Sequence, residues 1–74
     1  VHPREVFKQA VRINAKFMVM AHQHPSGDPT PSRDDFITTT RIVNAGKILG
    51  IEVLDHVIIG SNGRYYSFSD NGTL

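Results

Sequence analysis

The chain has 74 residues, which is enough for one domain and no more. It contains no cysteine, which excludes disulfides and zinc sites built on thiolates. Only 39% of the residues are hydrophobic, and no apolar run approaches the roughly 18 residues that a membrane-spanning helix needs, so we expect a soluble, cytoplasmic chain. The formal net charge of +1 is too small to require a polyanionic partner.

The first predicted element is an amphipathic helix over about residues 3–15. Pro3 suits the first turn of a helix, and Glu5 lies near its positive end. The positions that follow the i, i+3, i+4 spacing of a helix are Val6, Phe7, Ala10, Val11, Asn14 and Ala15. Because residue 1 is Val rather than Met and helix signals begin at once, we expect a piece of a longer chain, truncated at its N-terminus.

The middle of the chain predicts a strand, a loop and a second helix. Residues 17–21 form a short apolar run ending at His22, which is typical of a buried strand. Residues 25–31 hold three of the four prolines and cannot form regular structure. A second helix is predicted from Ser32 to about Leu49, with Gly50 at the position of a left-handed cap.

The last third of the chain predicts two more strands. Residues 51–59 are mostly β-branched and apolar, Asn62-Gly63 is a strong hairpin signal, and residues 64–68 return as a strand. The strand–helix–strand portion predicts a right-handed parallel crossover, which an antiparallel edge strand follows. The expected fold is therefore an α/β sandwich with a mixed sheet.

A dense group of polar residues follows the first strand. His22 and His24 are two residues apart at the strand end, so both imidazoles point the same way and form half of a zinc site. Asp35 lies in the first turn of the next helix, which a crossover starts beside the end of that strand. These three ligands leave a fourth position for water, whose pKa a zinc ion lowers to about 7.

Each half of this pattern also has a purely structural interpretation. An isolated H-x-H seldom binds metal, and Ser32 with Asp35 is fully explained as a capping box at a helix start. The combined spacing H-x-H-x7-S-x2-D is much harder to explain in that way.

That spacing resembles the JAMM signature of the JAB/MPN metalloprotease fold. The longer string HQHPSGDPTPSRDD, with LDHVIIG and GRYYSF downstream, is similar to the RadC family of bacterial proteins, so residues 1–74 look like the C-terminal portion of a RadC-like JAB/MPN domain. The resemblance implies an α-β-α sandwich laid out like cytidine deaminases, and a label as a DNA repair protein. It also implies a Zn²⁺ held by His22, His24 and Asp35, and hydrolysis of a peptide or isopeptide bond. In that scheme Ser32 donates a hydrogen bond to the developing oxyanion.

One part of the JAMM pattern is missing. The family's general base is a glutamate on a strand well upstream, whereas Glu5 is the only glutamate before His22 and its helix phase puts it on a helix. We therefore expect the base to be absent from this chain, and metal binding to survive where hydrolysis does not.

The N-terminal helix suggests an alternative function. Arg4, Lys8, Arg12 and Lys16 recur every four residues and form one basic stripe. The stripe is either a nucleic-acid-binding surface of a non-enzymatic module in DNA metabolism or an ordinary solvated helix face. No aromatic residue interleaves with it to stack on bases.

Three further possibilities stay open. Asp55 and His56 face opposite sides of a strand, and Asp55 is either an acceptor for a ligand imidazole or part of a satisfied polar pair. The whole motif is alternatively a structural JAB/MPN scaffold that only caps a helix. Missing upstream strands would expose a sheet edge, which favours self-association.

Overall fold

A computed structural model describes residues 3–74. The elements are α1 (Pro3–Arg12), β1 (Phe17–Gln23), α2 (Arg33–Leu49), β2 (Glu52–Ile59) and β3 (Tyr65–Ser67). The strands form one sheet in the order β1-β2-β3, with β1 parallel to β2 and β3 antiparallel to β2. The predicted α/β class and mixed sheet are confirmed.

Both helices share a single apolar core with the sheet. Its buried side chains are Phe7 and Ala10 from α1, Met20 from β1, Ile42 from α2, Ile51 just before β2, and Val53 within β2. Gly46 allows α2 to approach this core, since a Cβ atom there would collide with the carbonyl oxygen of Ile51. The glycine that weakens the helix in isolation therefore permits its close packing.

The first helix ends earlier than predicted, at Arg12 rather than near residue 15. Asn14 adopts the left-handed conformation with φ of 58°, and the N–H of Ala15 donates to the carbonyl oxygen of Ala10 over 2.9 Å. Asparagine is one of the few residues other than glycine that terminates a helix in this way. Lys16 consequently lies beyond the helix.

The second helix and the hairpin match their sequence signals. Ser32 is the N-cap of α2, and Gly50 ends the helix in the left-handed conformation with φ of 73°. Asn62 and Gly63 both have positive φ, as a tight hairpin turn requires. Strand β3 is shorter than predicted, at three residues.

The parallel pairing determines where the polar residues meet. His22 pairs with Ile58, so the carboxyl ends of β1 and β2 lie at the same edge of the sheet, and α2 begins just beyond it. β1 is an outer strand of this sheet, and its Phe17 and Val19 are each 58% exposed. Self-association through this edge stays a prediction. No helix within residues 3–74 has the length and apolar character to cross a membrane.

Candidate metal centre

The structure brings His22, His24 and Asp35 together. Nε2 of His22 lies 3.5 Å from Oδ1 of Asp35, and Nε2 of His24 lies 3.0 Å from Oδ2 of the same carboxylate. The two imidazole rings are 5.1 Å apart between centroids, on the same side of β1. One ligand atom from each of the three residues lies within 4.8 Å of the other two.

These distances suit a small tetrahedral ion. With bonds of about 2.0–2.1 Å, tetrahedral geometry puts neighbouring ligand atoms roughly 3.3 Å apart. The nitrogen–oxygen distances of 3.5 Å to Oδ1 and 3.0 Å to Oδ2 of Asp35 lie on either side of that value, and a carboxylate can offer either oxygen to an ion. All three side chains are partly buried, with 16–21% of each exposed, so the cluster remains accessible from solvent.

The carboxylate of Asp35 both caps the helix α2 and faces the two imidazoles. Its Oδ2 accepts the backbone N–H of Ser32 over 2.8 Å, while the hydroxyl of Ser32 accepts the backbone N–H of Asp35 over 3.1 Å. This is the predicted capping box. Burial alone would raise the pKa of Asp35, but Ser32, His22 and His24 outweigh it and lower the pKa. The carboxylate therefore stays ionised and faces both imidazoles.

Ser32 keeps a free hydrogen-bonding capacity in this arrangement. Its hydroxyl oxygen is used as an acceptor in the cap, which leaves the hydroxyl proton available to donate. Capping a helix and donating to a ligand are therefore compatible functions for this side chain.

His22 is supported from inside the core. Its Nδ1 lies 2.8 Å from Nε2 of His56, and Nδ1 of His56 lies 2.6 Å from the hydroxyl of Thr39. His56 is 1% exposed and stacks on Phe68 with a centroid distance of 4.8 Å. Burial, followed by the adjacent His22, lowers the pKa of His56 to about 4. Burial also lowers the pKa of His22, against the influence of Asp35.

His24 is supported from the exposed loop that follows β1. Its Nδ1 lies 2.8 Å from the carbonyl oxygen of Asp28, and because a carbonyl oxygen only accepts, Nδ1 carries the proton. Asp28 is held in turn by the N–H and hydroxyl of Thr30, which lower the pKa of its carboxyl. Gly27, with φ of 82°, donates its N–H to the carbonyl oxygen of His24.

The chemistry of these groups fits a cation. With its proton on Nδ1, a neutral His24 presents a lone pair on Nε2, 3.0 Å from the ionised oxygen of Asp35. Two lone pairs at that distance repel unless a positive charge lies between them, as a proton on Nε2 or as a metal ion. The cluster can therefore hold a metal ion, with the Nε2 atoms and the carboxylate as donors.

Comparison with known proteins identifies the family. The family model described as a RadC-like JAB domain matches residues 1–73. The chain belongs to the RadC-like JAB domain family. It is 58% identical over 74 residues to a UPF0758 protein of Symbiobacterium thermophilum, with 100% of this chain and 31% of the relative covered. A UPF0758 protein of Methanosarcina mazei is 56% identical over 72 residues, with 97% of this chain and 31% of the relative covered. The chain thus spans about a third of the length of these curated relatives.

The structure decides between the two interpretations of Asp55 in this RadC-like domain. Asp55 accepts no hydrogen bond from the imidazole of His22 or His24. Its carboxylate accepts from the backbone N–H of His56 and of Ser69 and from the hydroxyl of Ser67, which makes it the satisfied polar group of the alternative interpretation. Strand alternation puts its neighbour His56 on the face of His22 instead.

His56 is the site residue that the sequence reasoning missed. The sequence carried part of the signal, because His56 lies two residues from the apolar Ile58 and so shares its strand face, whereas the pairing of His56 with Met20 on β1 is visible only in the structure. Such a histidine lies on the core face of its strand, two residues out of register with His22 on the neighbouring parallel strand. This placement indicates that its ring can form a hydrogen bond to the imidazole of His22.

Neither glutamate of the RadC-like domain lies at the cluster. Glu5 is in the first turn of α1, where Pro3 and Arg4 line a cavity with Ala45, Ile48 and Leu49 of α2. Ile48 lies thirteen helical steps after Asp35, a rise of about 20 Å. Glu52 pairs with Phe17 at the opposite end of the sheet. Among residues 3–74, the general base expected for the family is therefore not at the site.

The basic stripe lies partly on α1. Arg4, Lys8 and Arg12 are exposed on this helix, whereas Lys16 lies beyond its end and accepts the N–H of Glu52 at its carbonyl oxygen. Since Arg4 adjoins the last turns of α2, the stripe begins far from the His22, His24 and Asp35 cluster. Nucleic-acid binding by these residues stays a prediction.

Proposed function

We propose that this RadC-like JAB domain holds the metal of a zinc-dependent hydrolase that cleaves peptide or isopeptide bonds. The observation that carries the proposal is the convergence of two imidazole nitrogens and one ionised carboxylate, with 3.0 and 3.5 Å between each nitrogen and its nearest carboxylate oxygen. Family membership supports the same chemistry, because the residues are those of the JAMM motif. The relatives' names state no activity, so the reaction is inferred from the site.

The donor set favours zinc over the other common divalent ions. Two nitrogens and one oxygen suit Zn²⁺ in tetrahedral geometry, whereas Mg²⁺ and Ca²⁺ prefer shells made of oxygen. Three protein ligands leave one position open, which is the arrangement of catalytic rather than structural zinc sites. When bound, the ion supplies a water-derived nucleophile at neutral pH.

The chain's own residues supply orientation and charge stabilisation. Asp35 and the two imidazoles hold the ion, and the free hydroxyl proton of Ser32 donates to the oxyanion that develops on the scissile carbonyl. The JAMM glutamate base is expected outside residues 3–74, since neither Glu5 nor Glu52 lies at the cluster.

Zinc content after chelation and reloading tests the metal assignment. Wild-type protein should retain about one zinc per chain, and Asp35→Asn or His22→Ala should retain almost none. Asp34→Asn is the matched control, because Asp34 is the neighbouring exposed carboxylate in the same first turn of α2. Equal zinc in wild type and Asp35→Asn would favour the interpretation that the motif only caps a helix.

Hydrolysis is tested separately with the full-length protein, loaded with zinc, on a fluorogenic peptide library and on isopeptide-linked conjugates. We expect chelator-sensitive cleavage and a fall of about 10²–10³ in kcat for Ser32→Gly, with unchanged zinc content. Glycine is the suitable replacement because it costs an N-cap only a few tenths of a kcal/mol. A zinc-loaded protein that cleaves neither substrate class would contradict the hydrolase assignment.

A further inference from the structure

A chain of hydrogen bonds runs from the metal centre into the core. It begins at Nδ1 of His22, passes 2.8 Å to Nε2 of His56, and continues 2.6 Å from Nδ1 of His56 to the hydroxyl of Thr39. That hydroxyl also lies 2.7 Å from the backbone carbonyl oxygen of Asp35. His56 is 1% and Thr39 3% exposed, so water hardly competes for these bonds.

The inner end of the chain determines its direction. A carbonyl oxygen only accepts, so the Thr39 hydroxyl gives its single proton to the carbonyl of Asp35. The hydroxyl oxygen then accepts from Nδ1–H of His56. A neutral His56 with its proton on Nδ1 has a lone pair on Nε2, which accepts from Nδ1–H of His22.

We propose that His56 is a positioning residue that selects Nε2 of His22 as the metal-binding atom, and that Thr39 sets the direction of the chain. With its proton on Nδ1, His22 presents an unprotonated Nε2 to Oδ1 of Asp35. Partners of this kind fix the tautomer and ring orientation of metal-ligating histidines. The inference rests on the proposed function for the role of the site, but the tautomer is a property of the metal-free protein.

The same hydrogen bonds can be written with each donor and acceptor exchanged, and His22 would then carry its proton on Nε2. The Thr39 hydroxyl would donate to His56, His56 would donate to Nδ1 of His22, and Nε2–H of His22 would point at Asp35. Two distances oppose it. The 3.5 Å between Nε2 of His22 and Oδ1 of Asp35 is long for a hydrogen bond, and two oxygens would face each other at 2.7 Å with no hydrogen between them.

Long-range ¹H–¹⁵N NMR of the metal-free protein reads the tautomer directly. At a pH about one unit above the ordinary histidine pKa, we expect His22 and His56 both to carry the proton on Nδ1 and a lone pair on Nε2. A proton on Nε2 of His22 in the wild-type protein would overturn the proposal, whatever the zinc affinity is.

Substitutions of two adjacent threonines supply the second test. Thr39→Val removes the hydroxyl at nearly constant volume, so His22 should show mixed tautomers and the Kd for zinc should rise about 10-fold or more. Thr40→Val is the matched control, because the exposed Thr40 makes the same bond to a helix carbonyl, that of Phe36 at 3.0 Å, without touching an imidazole. Thr39→Ser keeps the hydroxyl and should restore both measurements.

The outcomes separate this inference from the proposed function. Unchanged tautomer and zinc Kd in a folded Thr39→Val protein would overturn the positioning role. Wild-type protein with the expected tautomer but no zinc binding would contradict the proposed function alone and support the hydrogen-bond direction. If Thr39→Val does not fold, the wild-type NMR measurement decides the matter without any substitution.

Discussion

The two histidines of the candidate metal centre are almost equally accessible but supported in different ways. Their side chains are 21% and 19% exposed for His22 and His24. Behind His22 lies the buried His56, which packs on Phe68 in the core. Behind His24 lies a backbone carbonyl of the exposed residue Asp28, in a loop shaped by a left-handed glycine.

Because the two histidines are supported differently, changes behind each of them should affect the stability of the domain to different extents. A buried side-chain network cannot be altered without affecting packing, so the His22 side is coupled to the stability of the whole domain. A loop carbonyl is coupled mainly to local conformation, so the His24 side can adjust when a ligand binds. We expect changes behind His22 to affect global stability and changes behind His24 to affect mainly the site.

The largest effect is expected for His56→Ala. It removes a fully buried ring that stacks on Phe68, and should lower the free energy of unfolding by about 3–4 kcal/mol. Asp28→Ala on the other side should cost much less, because Asp28 is exposed. Chemical denaturation of the metal-free proteins measures both, and similar losses would remove the distinction between the two sides.

The pH dependence of stability should show the same asymmetry. The folded-state pKa of His56 is about 4, below the ordinary 6.5, because burial and then His22 disfavour its charged form, whereas Asp35 and Asp55 oppose the shift. As the pH is lowered, this histidine is therefore protonated in the unfolded chain before it is protonated in the folded chain. The free energy of unfolding keeps its full value above pH 6.5 and falls as the pH drops toward 4. The loss is about 3 kcal/mol for the metal-free protein.

Denaturation curves at several pH values between 4 and 7 test this dependence of the free energy of unfolding on pH. His56→Gln should remove most of it, while Asp28→Asn should leave it unchanged, since the lowered pKa of Asp28 lies below this window. A flat profile for the wild-type protein would show that His56 is not buried in its neutral form.

A smaller effect is expected for Gly27→Ala, which acts on the His24 side. Gly27 has φ of 82°, and a Cβ there would lie 2.8 Å from the hydroxyl oxygen of Ser61. We expect a loss of about 1 kcal/mol in stability and weaker zinc binding, with the tautomer of His22 unchanged. Isothermal titration measures the Kd for zinc, and NMR measures the tautomer of His22. A changed His22 tautomer in this variant would contradict their independence.

The smallest effect concerns the basic stripe on α1. The double variant Lys8→Glu, Arg12→Glu changes exposed residues away from the site, so zinc content should be unchanged and stability should shift by less than about 0.5 kcal/mol. The same variant tests the DNA-binding alternative, measured as salt-dependent binding of short duplex DNA. Salt-dependent binding by the wild type that this variant abolishes would favour the nucleic-acid-binding module.

The convergence of the site was predictable because it follows from local rules. Period-two alternation puts His22 and His24 on one side, and a parallel crossover brings the first turn of α2, with Asp35, to the same edge. The end of α1 was missed because Asn14 fits the i, i+3, i+4 spacing of the helix, whereas its backbone is left-handed and ends the helix. The contact of His56 with His22 was missed because it depends on the register between two strands that are far apart in the chain.

Zinc K-edge X-ray absorption of the protein loaded with one equivalent of zinc tests the central claim most directly. We expect a four-coordinate ion with two imidazole nitrogens and oxygen ligands at about 2.0–2.1 Å, and loss of the imidazole signal in a His22→Ala, His24→Ala double variant. A six-coordinate shell of oxygens, with the same spectrum in wild type and double variant, would show that these side chains do not hold the ion.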